Sequence, residues 1–148
     1  MPRPFSLQTV LELMQARSDE ATQRLATLLA VEMDVKRKLT LLQEYRDEYA
    51  ARFREAAQHG LGQPEWRNYQ TFLGRLDEAV RQQLEAVARQ AAHTAAGQAE
   101  WQQQRTRLKA FDALSRRHRA GEAREELRQE QKMQDEFAAR LRDDGQSS

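Results

Sequence analysis

Three histidines, His59, His93 and His118, and 23 carboxylates are the side chains that could ligate a metal or move a proton near neutral pH. The histidines are scattered, and no His or carboxylate pair on one helix face suggests a metal site. Solvated imidazoles are expected. The chain has no cysteine, which excludes thiolate ligands and disulfides. Gly60 and Gly62 lack the Lys-Ser/Thr pair that completes a phosphate-binding loop. No serine stands in a nucleophile-like turn. The expectation is a protein without a catalytic residue, a metal or a cofactor, whose chemistry is contact with other proteins.

The side chains suited to contact are aromatic. "WRNYQTF", residues 66–72, sets Trp66, Tyr69 and Phe72 within one short stretch, in a chain with only 7% aromatic residues. Exposed aromatics on a ridge resemble a binding hot spot. The basic run Arg116, Arg117, His118 and Arg119 is a second candidate. Glu122, Glu125, Glu126 and Glu130 follow at once, and no leucine heptad continues, so a solvated face is expected rather than a DNA-reading helix. The net charge of +1 gives no global field that would favour nucleic acid or acidic lipid.

These residues need elements to hold them. Charged residues make up 32% of the 148-residue chain, which suits long helices better than a thick core. No Gly or Pro occurs between Phe5 and His59. "HGLGQPEW" then supplies a helix stop, a turn and a restart, with Pro64 in the first turn of the second helix. The spacing predicts one coiled-coil domain over 1–148: a helix over about 7–58 capped by Ser6, a turn at 59–63, a helix over about 64–142, and a frayed tail at 143–148. No segment reaches the roughly 18 apolar residues of a membrane span, and the N-terminus does not read as a signal peptide. A cytoplasmic protein without direct membrane insertion is expected.

The period fits a coiled coil. Alternating steps of four and three from Leu7 trace a seam to Ala56, interrupted only at Ser18, Glu32 and Arg46. The second seam, Trp66 to Phe111, is weaker, with Gln83, Gln90, Thr94, Gly97 and Gln104 on it. A fold centred on Leu61 sets seam against seam. Trp66 then faces Ala56, Trp101 faces Ala21, and Leu25 faces Gly97, so large opposes small. Glu32 faces Gln90 and Ser18 faces Gln104. Leu7 faces Ser115, which leaves 116–142 as an unpartnered overhang. The fold class is all-α: a long antiparallel two-helix coiled-coil hairpin with a C-terminal helical overhang. Beside the seam lies a second stripe, with Leu42, Tyr45 and Tyr49 on one helix and Phe72, Leu76 and Ala79 on the other. It reads either as thick packing or as a contact surface.

"LLQEYRDEY" before the turn and "WRNYQTFLGRLDEAVRQQ" after it resemble the paired signature of the FliJ family. The N-terminal "FSLQTVLELMQARSDEATQRLA" and the C-terminal "EQKMQDEFAAR" fit the same family. The resemblance implies a soluble component of the bacterial flagellar type III export apparatus, a hairpin similar to the stalk-like gamma subunit of rotary ATP synthases. It implies that the end carrying the termini sits in the pore of the hexameric export ATPase. The turn end then reaches the cytoplasmic region of the membrane export gate, and export chaperones are also bound. The family's gate contacts fall on Leu42, Tyr45, Tyr49, Phe72, Leu76 and Ala79. Lys38 and Gln83 depart from the family pattern, where Gln and His are frequent. For the ring-facing end, the candidates are Arg116, Arg117, Arg119 and Lys132. A monomer in isolation is expected, at the cytoplasmic face of the inner membrane at the flagellar base when at work. The alternative is a self-associating coiled-coil spacer or scaffold.

Overall fold

The computed structural model describes residues 5–146, and all of its regular structure is helical: α1 runs Phe5–Gln58 and α2 runs Gln63–Gln146. The two helices pack against each other as an all-α hairpin. α1 begins at Phe5, two residues before the expected start, and the side chain of Ser6, the expected cap, lies outside the described residues. α2 continues past the expected end at Arg142. Ser147 and Ser148 of the expected tail lie outside the described residues.

The turn forms as its residue types require. Gly60 has φ of 90°, a left-handed conformation open to glycine and strained for residues with a Cβ. The amides of His59 and Gly60 donate to the carbonyls of Ala56 and Ala57, at 3.2 and 3.3 Å, which closes the last turn of α1. The Gly62 carbonyl accepts from the Trp66 amide at 3.0 Å and opens α2. Pro64 sits in that first turn, where its missing N–H costs nothing.

The chain forms two compact units. One spans Asp19–Gln103 and contains the turn. Its inward positions follow the heptad trace closely. Every α1 seam residue from Ala21 to Ala56 is buried or half-buried, and so is every α2 seam residue from Tyr69 to Trp101. Trp66 is the exception and remains exposed at the turn. The inter-helix contacts are antiparallel along the whole unit. Phe53 meets Tyr69 at 5.3 Å between ring centroids near the turn. At the other end, Trp101 Nε1 donates to Thr22 Oγ1 at 3.0 Å, beside the buried Ala21.

The expected large-against-small pairing shifts by one turn at Gly97. A Cβ there would run into Leu28 Cδ1, so Leu28, and not Leu25, fills the space over the glycine. The reason is directional: helical side chains lean toward their own N-terminus, so Leu28 covers the level of the preceding turn. The expected meeting of Glu32 with Gln90 is also replaced. Gln90 Nε2 donates to the Leu28 carbonyl at 3.2 Å, while Glu32 pairs with Lys36 at 3.3 Å. Gln83 Nε2 donates likewise to the Val35 carbonyl at 2.9 Å. Thr94 is buried and its hydroxyl has no hydrogen-bond partner, a local cost of the polar seam.

The other unit joins Met1–Ser18 to Gln104–Ser148. Met14, Ser18 and Ser115 are buried here, and Leu7, Leu11, Leu108 and Phe111 are half-buried. From Glu122 to Gly145 only Ala138 is half-buried, and all the other residues are exposed. Leu127, Met133, Phe137 and Leu141 all show most of their surface. This is the overhang.

The seam makes a direct expectation. Ala21 is 2% exposed, so Ala21→Trp overpacks the interface and lowers stability by about 1–3 kcal/mol, read from a chemical melt. A substitution tolerated without loss would show that α1 and α2 do not pack here.

Candidate protein-contact surface

Leu42, Tyr45 and Tyr49 recur at spacings of three and four on α1, and Phe72, Leu76 and Ala79 do the same on α2. Each triplet therefore occupies one side of its helix. The structure brings the two triplets together. Tyr49 and Phe72 meet edge to face with ring centroids 4.5 Å apart. Tyr45 meets the same Phe72 at 6.3 Å, with the rings near perpendicular at 89°. Tyr49 also touches Tyr69 at 5.4 Å, and Phe53 touches Trp66 at 4.8 Å. The result is a continuous aromatic ladder from Tyr45 to Trp66, within the range where ring pairs attract beyond their area.

The ladder differs in exposure from rung to rung. Tyr45 is 45% exposed, and Leu76 only 7%. Leu42, Tyr49, Phe72 and Ala79 are half-buried. Phe72 is therefore both packing and surface: its ring is clasped by two tyrosines and still meets solvent. Leu76 is part of the core and offers almost nothing to a partner. Most of the accessible surface of the six residues comes from the other five.

Charge marks the opposite flank. Arg46 interrupts the apolar seam, and its Nε donates to Asp77 Oδ1 at 2.7 Å across the hairpin. Its alkyl stem covers the seam while its head reaches water. The hydrogen bond to Asp77 pushes the Arg46 pKa above its ordinary value. On α2, the hydrogen bond from Arg81 holds the Glu78 carboxyl below the usual range. Arg24 and Glu100 form a further inter-helix pair at 3.0 Å.

One feature of this face escapes the heptad count. Lys38, Leu41, Leu42, Tyr45 and Gln83 line an open groove of about 390 Å³. Leu41 forms its outer wall and is 58% exposed. In the sequence it reads as a neighbour of the seam residue Leu42. Its place one turn before Tyr45 was the available signal.

The basic candidates lie on the overhang side. Arg116 pairs with Asp112 at 2.8 Å, and His118 Nε2 lies 2.8 Å from Glu122 Oε1. Arg117, Arg119 and Lys132 are exposed on the same stretch of α2. Among the described residues no three His, Asp or Glu side chains converge on a point where a metal could sit. No helix among the described residues is long and apolar enough to cross a membrane.

The family model for the flagellar FliJ protein matches residues 3–146. No individual curated protein matches the chain. The family match spans the aromatic ladder, the turn and the overhang together. The chain belongs to the FliJ family, and with it to the components of the flagellar export apparatus.

Proposed function

We propose that this chain is a non-catalytic stalk that joins the hexameric export ATPase to the cytoplasmic region of the membrane export gate. The observation that carries the reading is the aromatic ladder. A hairpin held by one seam does not need Tyr45 and Phe72 beside it, yet both expose ring surface on one flank near the turn. That flank faces the gate, with Leu42, Tyr49 and Ala79 completing it. The overhang, with Arg116, Arg117, Arg119 and Lys132, enters the ATPase ring. Its exposed Leu127, Met133, Phe137 and Leu141 support this, because a polar helix alone is only marginally stable and gains from a partner. Family membership supports a further role in binding export chaperones. The working place is the cytoplasmic face of the inner membrane at the flagellar base.

A single asymmetric rod inside a ring of six like subunits cannot touch them all alike. It stabilises different states in different subunits, and that difference is what changes turnover. The test mixes purified chain with the export ATPase. ATP turnover rises severalfold at stoichiometric chain, and the chain alone hydrolyses nothing. Sedimentation of the free chain gives a monomer. Unchanged turnover together with a stable dimer would replace the stalk by a self-associating scaffold.

A further inference from the structure

The net charge of +1 hides an uneven spread. Residues 104–121 carry six Arg or Lys side chains against the single Asp112. Two cations of this end stand out by position. In the Asp19–Gln103 unit, Arg24 and Glu100 pair across the hairpin at 3.0 Å. One heptad back along α1 is Arg17, and one heptad on along α2 is Arg107. Both belong to the other unit, and each stands immediately before a seam residue, Ser18 or Leu108. The antiparallel register therefore sets guanidinium opposite guanidinium, at a level where a carboxylate would complete a pair. Both residues are exposed, and neither is in an ion pair among the described residues.

Apolar side chains lie beside them. Val10, Leu13 and Arg17 follow steps of three and four on α1, and Arg107, Ala110 and Leu114 do so on α2, so each set shares one side of its helix. Leu13 and Leu114 are each 47% exposed, and Val10 is half-buried. The flank is an apolar shelf with two unpaired arginines at one end. Two facing forks select their ligand. One guanidinium already satisfies both oxygens of a carboxylate in a bidentate pair. Two guanidinium groups on opposite helices suit an anion with more oxygens and more charge, and phosphate is such an anion. The shelf adds a demand, that the phosphate be joined to an apolar body. A phospholipid headgroup meets both, with the arginines on its phosphate and the two leucines against the top of its acyl chains.

We infer that the flank formed by Arg17, Arg107, Leu13 and Leu114 is a phosphate site that docks the chain on an anionic lipid surface. The site lies outside both the aromatic ladder and the overhang. It leaves the stalk reading as it stands and adds a way of holding the chain at the membrane. The contact is at headgroup depth and needs no membrane-spanning segment.

The experiment co-sediments full-length chain with vesicles of phosphatidylglycerol and phosphatidylcholine, and with vesicles of phosphatidylcholine alone. The wild-type chain binds the anionic vesicles and leaves the neutral ones, and its binding falls as salt rises. Arg17→Glu and Arg107→Glu each weaken that binding about tenfold, because reversing a charge near the surface removes an attraction and adds a repulsion. Lys109→Glu makes the same change in net charge on another side of α2 and keeps wild-type binding. Thermal melts test the facing geometry. Arg107→Glu puts a carboxylate opposite Arg17 and raises the melting temperature by a few degrees at low salt, and the double variant Arg17→Glu, Arg107→Glu loses that gain. An unchanged or lowered melting temperature in Arg107→Glu would show that the two arginines do not face each other and would overturn the site. Equal loss of vesicle binding in all three single variants would reduce it to diffuse attraction and overturn it as well. Inorganic phosphate tests the source. If it raises the melting temperature of the wild type but not of Arg107→Glu, while anionic vesicles are not bound, the phosphate site stands and the lipid is overturned. No vesicle binding and no response to phosphate would overturn both.

Discussion

Phe72→Ala will lower both stability and gate binding. The ring lies between Tyr49 and Tyr45 at 4.5 and 6.3 Å, so its removal opens a gap beside the seam. A fully buried phenylalanine costs about 3–5 kcal/mol when truncated, and the half-buried ring here should cost about 1–3 kcal/mol. Its solvent-facing edge is the part that a partner can use. Loss of that edge, and of the two tyrosines it orients, should weaken gate binding by about 2 kcal/mol or more. The comparison with Val80→Ala separates the two effects. Val80 is a half-buried seam residue outside the contact face, so this variant loses about 1 kcal/mol of stability and keeps its affinity. Thermal melts and a pull-down by the gate's cytoplasmic region measure both quantities. A Phe72→Ala protein that melts early yet binds normally once folded would reduce this aromatic to packing.

Deletion of residues 120–148 should abolish stimulation of the export ATPase. The deleted stretch carries the four large exposed apolar residues of the overhang and Lys132. Its removal takes nothing from the Asp19–Gln103 unit, where the aromatic ladder lies. Gate binding should therefore survive, and circular dichroism should show a chain that is still helical. Stimulation falls to the level of ATPase alone, because a rod that does not reach the subunits cannot bias their states. Retained stimulation with lost gate binding would reverse the assignment of the two ends.

The heptad trace was legible because its cause is local. Leucine, valine and alanine at steps of three and four leave a helix one face to bury, and the structure buries that face. Antiparallel packing was legible as well, since the glycines and proline around Leu61 leave a turn and little else. The level of individual contacts was not. Leu28 over Gly97, and Gln90 on a main-chain carbonyl, depend on side-chain lean and reach, which residue spacing does not contain. The status of Phe72 lay beyond the sequence for a similar reason. Periodicity offered core or surface, and only the tyrosine rings on two sides of it show that it is both. Leu41 was hidden by Leu42, because two adjacent leucines look like one broad stripe until the helix turns them apart.

The two glutamine hooks have a mechanical consequence. Gln83 and Gln90 stand one heptad apart and grip the Val35 and Leu28 carbonyls, also one heptad apart. Under a sliding load, each hook can let go and be rehydrated, since a hydrogen bond to protein exchanges for one to water at a net cost of only about 1 kcal/mol. The interlocked rings at the turn have no such substitute, because parting them wets apolar surface. Within the Asp19–Gln103 unit the packing thus resists sliding most at the turn and least around the two hooks. A sliding load should therefore be resisted at the turn and yield first around the hooks, in the stretch where the buried Thr94 hydroxyl has no partner.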